Sequence, residues 1–385
     1  MTGPGNQRLE RRLAHEHGRE QAQRLTRRCP PIERTTSLHY RLEGRPVVSF
    51  CSNDYLGFAD ELGSDERSIA GSAASRLVCG DLDEHRELER SFAEFLELPD
   101  AVLFPSGFQA NVGVPACLLR ADDRVSSDEL NHASMIDGLR LASADRQVIP
   151  HGTRPAPVDV EGLHWWFTES IFSMDGDGPS LADLDAHLDG GGCIYLDEAH
   201  AIGLHERGRG RALGLRSTPT VVVAPLGKAF GCAGAIVASS ASVCSWIRAH
   251  ARSFVFTTGV SPVLIPRLAR ALELVRGPIG DERRAALWRN VALLRRALGL
   301  DPRALPSPIL PWIAGANHDA LALSQRLLER GWHVQAIRPP TVPEGGARLR
   351  ITVSAMHEAD ELERFAADLL ACAVATPSRD VGGRR

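Results

Sequence analysis

Four short apolar runs limit what this chain can fold into. AVLF at 101–104, CIYL at 193–196, TVVVA at 220–224 and AIVA at 235–238 are brief and show no apolar–polar alternation. A strand with one face in water alternates. A run without alternation suits a strand buried on both faces of a parallel sheet. Helical patterns lie between the runs. In EHRELERSFAEFLEL at 84–98, Leu88, Phe92, Phe95 and Leu96 share one face. Strands separated by helices imply βαβ units, and so an α/β fold with a large, mostly parallel central sheet.

The 385 residues are enough for a large and a small lobe, each with its own core. The pattern predicts an N-terminal helix and strand segment at 1–50, a large α/β domain at 51–275, a small α+β domain at 276–375 and a disordered polar tail at 376–385. A polar helix is expected over 1–30, stopped by Pro30 and Pro31. In the small domain a helix over 281–300 carries Leu287, Val291, Leu294 and Leu298 as its stripe. A strand at 309–313, a helix at 319–330, strands at 332–337 and 347–354 and a last helix at 357–373 complete it. In RLRITV at 348–353, Leu349, Ile351 and Val353 alternate with Arg348, Arg350 and Thr352. Period two places both arginines on one face, toward solvent or an anion.

A net charge of −4 gives no reason to expect nucleic acid or an anionic membrane as partner. No stretch approaches 18 uninterrupted apolar residues, so no transmembrane helix is expected. The N-terminus has no apolar signal core, and Glu10, Glu16 and Glu20 argue against a transit peptide. The eight cysteines form no C-x-x-C pair and no zinc spacing. Scattered thiols in a large chain suit a reduced state, and cytoplasm is the default compartment.

A few residues stand out chemically. Lys228, in TVVVAPLGKAFGCAGA, follows a buried strand in a Gly-rich turn. Lysines are mostly exposed, so a plain loop residue is the bland reading. But this chain has very few lysines, its basic residues are nearly all arginine, and arginine cannot form a Schiff base. Asp197, in CIYLDEAHAIG, falls at the end of a buried strand, where open α/β sheets place ligands. It could equally cap the next helix. His200 lies three residues on. The letters D-E-A-H also occur in helicases, but no Walker A loop is present. FPSGFQAN at 104–111 reads as strand, turn and helix N-terminus, an anion site or simply a capped helix. His132, in DELNHASMIDG, is a lone histidine whose ordinary role would be structural.

Taken together, these segments resemble the α-oxoamine synthases, pyridoxal-phosphate (PLP) enzymes of fold type I. The matching pieces, in order, are CSNDYLG (51–57), GSAASRLVCG (71–80), HRELE (85–89), FPSGFQAN (104–111), NHASMIDG (131–138), ESIFSMDGD (169–177), LDEAHAIG (196–203), RGRG (207–210) and LGKAFG (226–231). VQAIRPPTVPEGGARLRITVSAMH at 334–357 is similar to the biotin-pathway branch, whose amino-acid substrate is L-alanine where sister branches take glycine or serine.

The resemblance implies roles. Lys228 matches the Schiff-base lysine and Asp197 the partner of the pyridine nitrogen. His200 and Ser173 match hydrogen-bond donors to the cofactor, and His132 the histidine stacked on its ring. Gly107 and Phe108 match backbone contacts to the cofactor. Asn53 and Arg338 match residues near the amino-acid carboxylate, and Thr341 a substrate contact. Thr257 and Thr258 fall where a neighbouring subunit's hydroxyl reaches the phosphate, which implies a homodimer with shared sites. The reaction implied is decarboxylative condensation of L-alanine with an acyl thioester, carried by coenzyme A or a carrier protein. Some positions depart from the pattern. Pro225 stands where the family has a phosphate-binding Thr, and Ala201 where it has Gly. The stretch from Gly152 to Trp165 is shorter than usual. Thr26 falls nearest the place of an acyl-contacting arginine, with Arg27 and Arg28 beside it.

Overall fold

The computed structural model describes residues 4–26, 30–63 and 70–374. Arg27, Arg28 and the 376–385 tail lie outside the described residues. The first helix, α1 (Pro4–Ala22), ends well before Pro30. Arg24 takes a left-handed φ of 55°, and the Leu25 N–H turns back onto Glu20 O at 2.8 Å. A left-handed residue closes the last carbonyls, so no proline is needed to stop this helix.

Strands β1 (Ile32–Arg34), β2 (His39–Leu42) and β3 (Arg45–Ser49) form an antiparallel meander. Then comes the central sheet: β4 (Asp100–Phe104), β5 (Arg124–Asp128), β6 (Asp145–Ile149), β7 (His164–Glu169), β8 (Cys193–Asp197), β9 (Val221–Pro225) and β10 (Ala235–Ser239). Its order is β4-β10-β9-β8-β7-β5-β6. Strands β5 to β9 pair in parallel, while β10 runs antiparallel to both β4 and β9. The sheet is mostly parallel, as the runs implied, but AIVA is its reversed strand. Only residues 226–234 separate β9 from β10. A parallel crossover needs about a dozen residues or more, so this connection returns antiparallel.

Helices α2 (Asp83–Leu96), α3 (Gly107–Leu118), α4 (Ala133–Leu141), α5 (Leu181–Asp189) and α6 (Ala241–His250) clothe the sheet. Alternate residues of one strand feed two cores. Leu103, Ala224 and Ile236 join Leu88, Phe92 and Leu96 of α2, whereas Val102, Val223 and Val237 join Ala110 and Val114 of α3 and Met135 of α4. Burial on both faces is why these runs show no alternation.

After α7 (Arg252–Val255) and α8 (Ile265–Arg276), α9 (Pro278–Ala297) leads into the C-terminal lobe. There β11 (Ile309–Gly315), α10 (Asn317–Glu329), β12 (Trp332–His333), β13 (Gln335–Ile337), β14 (Ala347–Thr352) and α11 (Ala359–Val374) follow. The single strand expected at 332–337 divides between sheets: β12 pairs in parallel with β3, and β13 pairs with β14. The N-terminal meander therefore extends a C-terminal strand. The arginine face of β14 does not meet solvent. Arg348 and Arg350 are each 7% exposed. Arg348 is ion-paired with Asp175, and Arg350 donates to Asn53 Oδ1 at 3.0 Å and to the Ser173 carbonyl. Loops of the large lobe cover that face, a contact the two-residue period cannot foresee.

One close approach positions the site. A Cβ on Gly138 of α4 would lie 2.0 Å from Asn111 O on α3. Gly138→Ala must push the two helices apart, at a cost of about 1–3 kcal/mol. A lowered urea midpoint is expected; an unchanged midpoint would mean that α3 and α4 are not locked there.

Candidate active site

The parallel strands end on one edge of the sheet, and their C-terminal residues carry the polar groups. Glu169 ends β7 and Asp197 ends β8, opposite each other in register. Pro225 ends β9, and the turn after it holds Lys228, the only lysine in the sequence. Both carboxylates are buried.

Lys228 Nζ lies 2.8 Å from His200 Nε2. His200 Nδ1 lies 2.6 Å from the Tyr55 hydroxyl, which donates to Asn53 Oδ1 at 3.1 Å. One set of donors satisfies the chain: Lys228 N–H to Nε2, Nδ1–H to Tyr55, Tyr55 O–H to Asn53. Burial, and then Lys228, push the His200 pKa far below its ordinary value, so the ring stays neutral. Burial pushes Tyr55 up to about 12, so it stays a phenol. Burial also pulls Lys228 down to about 8, with Asp197 and Glu169 opposing the fall. A substantial fraction of this amine is therefore neutral near pH 7–8.

A second chain of bonds leads from Asp197 to His132. Asp197 Oδ1 accepts from the Ala199 N–H at 2.9 Å, and Oδ2 from Asn111 Nδ2 at 2.7 Å. Asn111 Nδ2 also donates to Ser134 Oγ at 3.1 Å, and Ser134 Oγ lies 2.7 Å from His132 Nδ1. The Ser134 N–H points at the same Nδ1, at 3.3 Å. Nδ1 is thus an acceptor, and in the neutral ring the proton sits on Nε2. Burial lowers the His132 pKa, and Lys228 adds to that fall against Asp197. Glu169 accepts from the His132 N–H at 2.6 Å, and burial followed by Asp197 raises its pKa.

His132, Ser173 and Thr341 line one cavity of about 630 Å³, with Phe172, Met174 and Val342 as apolar wall. The Phe108 ring meets His132 edge-on, with centroids 6.4 Å apart. Gly107 opens α3, where the first N–H groups lack helical partners. A Cβ on it would lie 2.6 Å from Pro225 Cγ, so Pro225 is pressed against that helix start. Arg338 donates to the Arg24 carbonyl, tying the end of α1 to the C-terminal lobe. The Thr26 hydroxyl is buried without a partner. Thr257 and Thr258 stand apart from the cavity, where Thr258 bridges to Ser75.

The structure thus joins Lys228, His200 and Asn53 in one network and Asp197 and His132 in a second, with the charges of Asp197 and Glu169 acting on Lys228. It adds Tyr55, Asn111, Ser134 and Glu169, to which no sequence pattern assigned a role, and Arg350, whose period-two face turns out to meet Asn53 and the Ser173 loop. Tyr55, Asn111, Ser134 and Glu169 lie inside the matched motifs, and that was the available signal. Among the described residues no cluster of three His, Cys, Asp or Glu side chains could hold a metal, and no helix is long and apolar enough to cross a membrane.

The family model for aminotransferase class I and II matches residues 45–369. The 8-amino-7-oxononanoate synthase of Bordetella petrii is 40% identical over 368 residues, covering 90% of this chain and 93% of that protein. The chain belongs to the aminotransferase class I and II family, in its 8-amino-7-oxononanoate synthase group. Among solved structures, the 8-amino-7-oxononanoate synthase of Francisella tularensis superposes with a TM-score of 0.70 at 26% identity, covering 84% of this chain and 96% of that one. A serine palmitoyltransferase of S. paucimobilis, solved with a PLP–myriocin aldimine bound, gives 0.84 at 24% identity, covering 94% and 97%. At that identity it speaks for the fold alone.

Because this family member has a single lysine, its amine can be titrated directly. In cofactor-free protein, acetic anhydride labelling of the Lys228 peptide is expected to rise with a midpoint near pH 8. Asp197→Asn removes a charge that holds the pKa up, and should move the midpoint lower. A midpoint near that of an ordinary lysine, read by mass spectrometry, would contradict the burial argument.

Proposed function

We propose that this chain uses PLP to join L-alanine to a pimeloyl thioester, giving 8-amino-7-oxononanoate, CO₂ and the free thiol. The observation that carries the proposal is the lone lysine, 2.8 Å from His200 and under the influence of two buried carboxylates at adjacent strand ends. The identity with 8-amino-7-oxononanoate synthases over nine-tenths of the chain supports the choice of substrates.

The donor set fits the cofactor. An aldehyde needs a partly neutral amine, as Lys228 is. A pyridine nitrogen needs a buried carboxylate with a free lone pair, and Asp197 keeps one beyond its bonds to Ala199 and Asn111. A phosphate needs unpaired N–H groups, as Gly107 and Phe108 offer at the start of α3. When bound, PLP supplies an electron-accepting ring.

The chain's own residues do the rest. Lys228 Nζ would hold the cofactor and, once displaced by the incoming amine of alanine, its free amine would remove the Cα proton and return one to the product. Asp197 keeps a proton on the ring nitrogen, and Asn111 fixes its carboxylate. His200, neutral and oriented by Tyr55, accepts from Lys228 and directs its amine. Ser173 supplies a further hydrogen bond to the cofactor. His132 would lie against the ring of the bound cofactor, and its Nε2–H would donate to the oxygen of the acyl group as charge builds there. Asn53 and Arg338 receive the amino-acid carboxylate, and Thr341 contacts the substrate in the cavity that it lines.

The reading includes a cytoplasmic homodimer, with Thr257 and Thr258 serving the partner's phosphate. Leu77, Val78 and Phe256, 52%, 77% and 71% exposed beside the Ser75–Thr258 bridge, support a covered surface there.

Mass spectrometry of product from L-alanine and pimeloyl-CoA tests the reaction, with glycine, serine and other acyl thioesters as competitors. Wild type should prefer L-alanine, and Lys228→Ala should form none. Appreciable turnover by that variant refutes the assignment. Pro225 offers the phosphate neither hydroxyl nor N–H. Pro225→Thr should restore one hydrogen bond to a charged group, about ten- to a hundredfold in PLP affinity. PLP loss on dialysis at the wild-type rate would show that the phosphate does not meet this position.

A further inference from the structure

A second cavity, of about 960 Å³, shares no lining residue with the one at His132. Its walls are one face of α9, the loop at 204–207 and the loop at 300–306. Two arginines of α9 fasten those loops. Arg284 donates to Gly203 O at 3.2 Å and pairs with Asp281 at 2.6 Å. Arg295 donates to Asp301 O at 3.0 Å and to Leu305 O at 3.1 Å.

The lining is mostly apolar, with Leu204, Trp288, Val291, Leu300 and Pro306. Its polar part is positive. Arg207, Arg284, Arg295 and Arg296 outnumber Glu206 and Asp281, and Asp281 is already paired with Arg284. Arg207 and Arg296 are exposed at the rim. One polar atom of the wall, Arg295 Nε, is buried with no hydrogen-bond partner, while the His205 ring is held by the Pro306 backbone. Arg295 is only 9% exposed, so its Nε–H is a desolvated donor without an acceptor.

We propose that this cavity is a second binding site, for an amphipathic monocarboxylate such as a free medium-chain acid. The apolar chain lies against Trp288, Val291 and Leu300, and the carboxylate meets the arginine side. A cavity of this size is within the range that encloses small ligands. A cationic or neutral chain of equal length gains the same apolar contact but leaves the arginines unanswered.

The test is calorimetric titration of octanoate into the PLP-loaded protein, with octylamine as the oppositely charged control. Ala292→Trp fills the cavity from an exposed position, and Arg296→Glu reverses the rim. Neither residue belongs to the proposed catalytic set, so retained turnover reports an intact fold. Saturable octanoate binding is expected, at least tenfold weaker in each variant, with octylamine weaker than octanoate. Absence of saturable binding, or equal binding by wild type and both variants, overturns the proposal; equal binding would place octanoate in the acyl cavity at His132 instead. Loss in Ala292→Trp alone, or octylamine binding as tightly as octanoate, overturns the carboxylate assignment.

Discussion

The rest of the site depends on one buried amine. Lys228 loses solvation where two carboxylates, themselves buried, recover part of what burial removes. An amine alone in that setting would shed its proton altogether, and in water it would keep it. Between the two limits lies an amine able both to condense with an aldehyde and to carry a proton. The sheet supplies the setting, because parallel pairing brings Glu169 and Asp197 side by side on the edge where β9 delivers the lysine turn.

Two hydrogen-bond chains extend from that centre and fix each ring by a different logic. His200 is held between an amine and a phenol, and its neutrality follows from burial next to a positive charge. His132 receives two donors at Nδ1, from the Ser134 hydroxyl and N–H, which leaves Nε2–H toward the cavity. Within the second chain Asn111 joins Asp197 to Ser134 by donating to both, while the Tyr195 O–H donates to the Asn111 oxygen at 2.9 Å. With its polar groups in use, Asn111 has no rotational freedom to lose when substrate enters.

The arginine-dominated composition sharpens the contrast. Only one of the 44 lysine and arginine residues is lysine. Arginine does not give up its proton within a working pH range, so it can be buried as a fixed charge but not used as a base. Arg348 and Arg350 show that use. They sit beneath the loop that carries Ser173 and hold it by Asp175 and by a backbone carbonyl.

The sequence by itself determined strands β4, β8, β9 and β10, because strands buried on both faces read as unbroken apolar runs, and it determined the lysine, because no other residue in this chain has that chemistry; β5, β6 and β7 carry polar residues such as Ser126, Gln147 and Thr168, and only the packed sheet shows them as strands. The α2 and α9 stripes, and the turns bearing Asp197 and Lys228, were legible for the same local reasons. Direction and company were left to tertiary structure. A short apolar run reads alike in either direction, so the reversal of β10 depended on the short connection before it. An arginine alternating with leucine reads as a wet face unless another lobe covers it, and only the packed chain brings Ser173 and Asp175 there. Tyr55, Asn111 and Glu169 lie 145, 86 and 59 residues from the side chains whose state they govern (His200, Asp197 and Lys228), farther along the chain than any local period reaches. Contacts across such separations are made by the fold, since local periodicity reports which face a residue occupies but not what the other side of the interface holds.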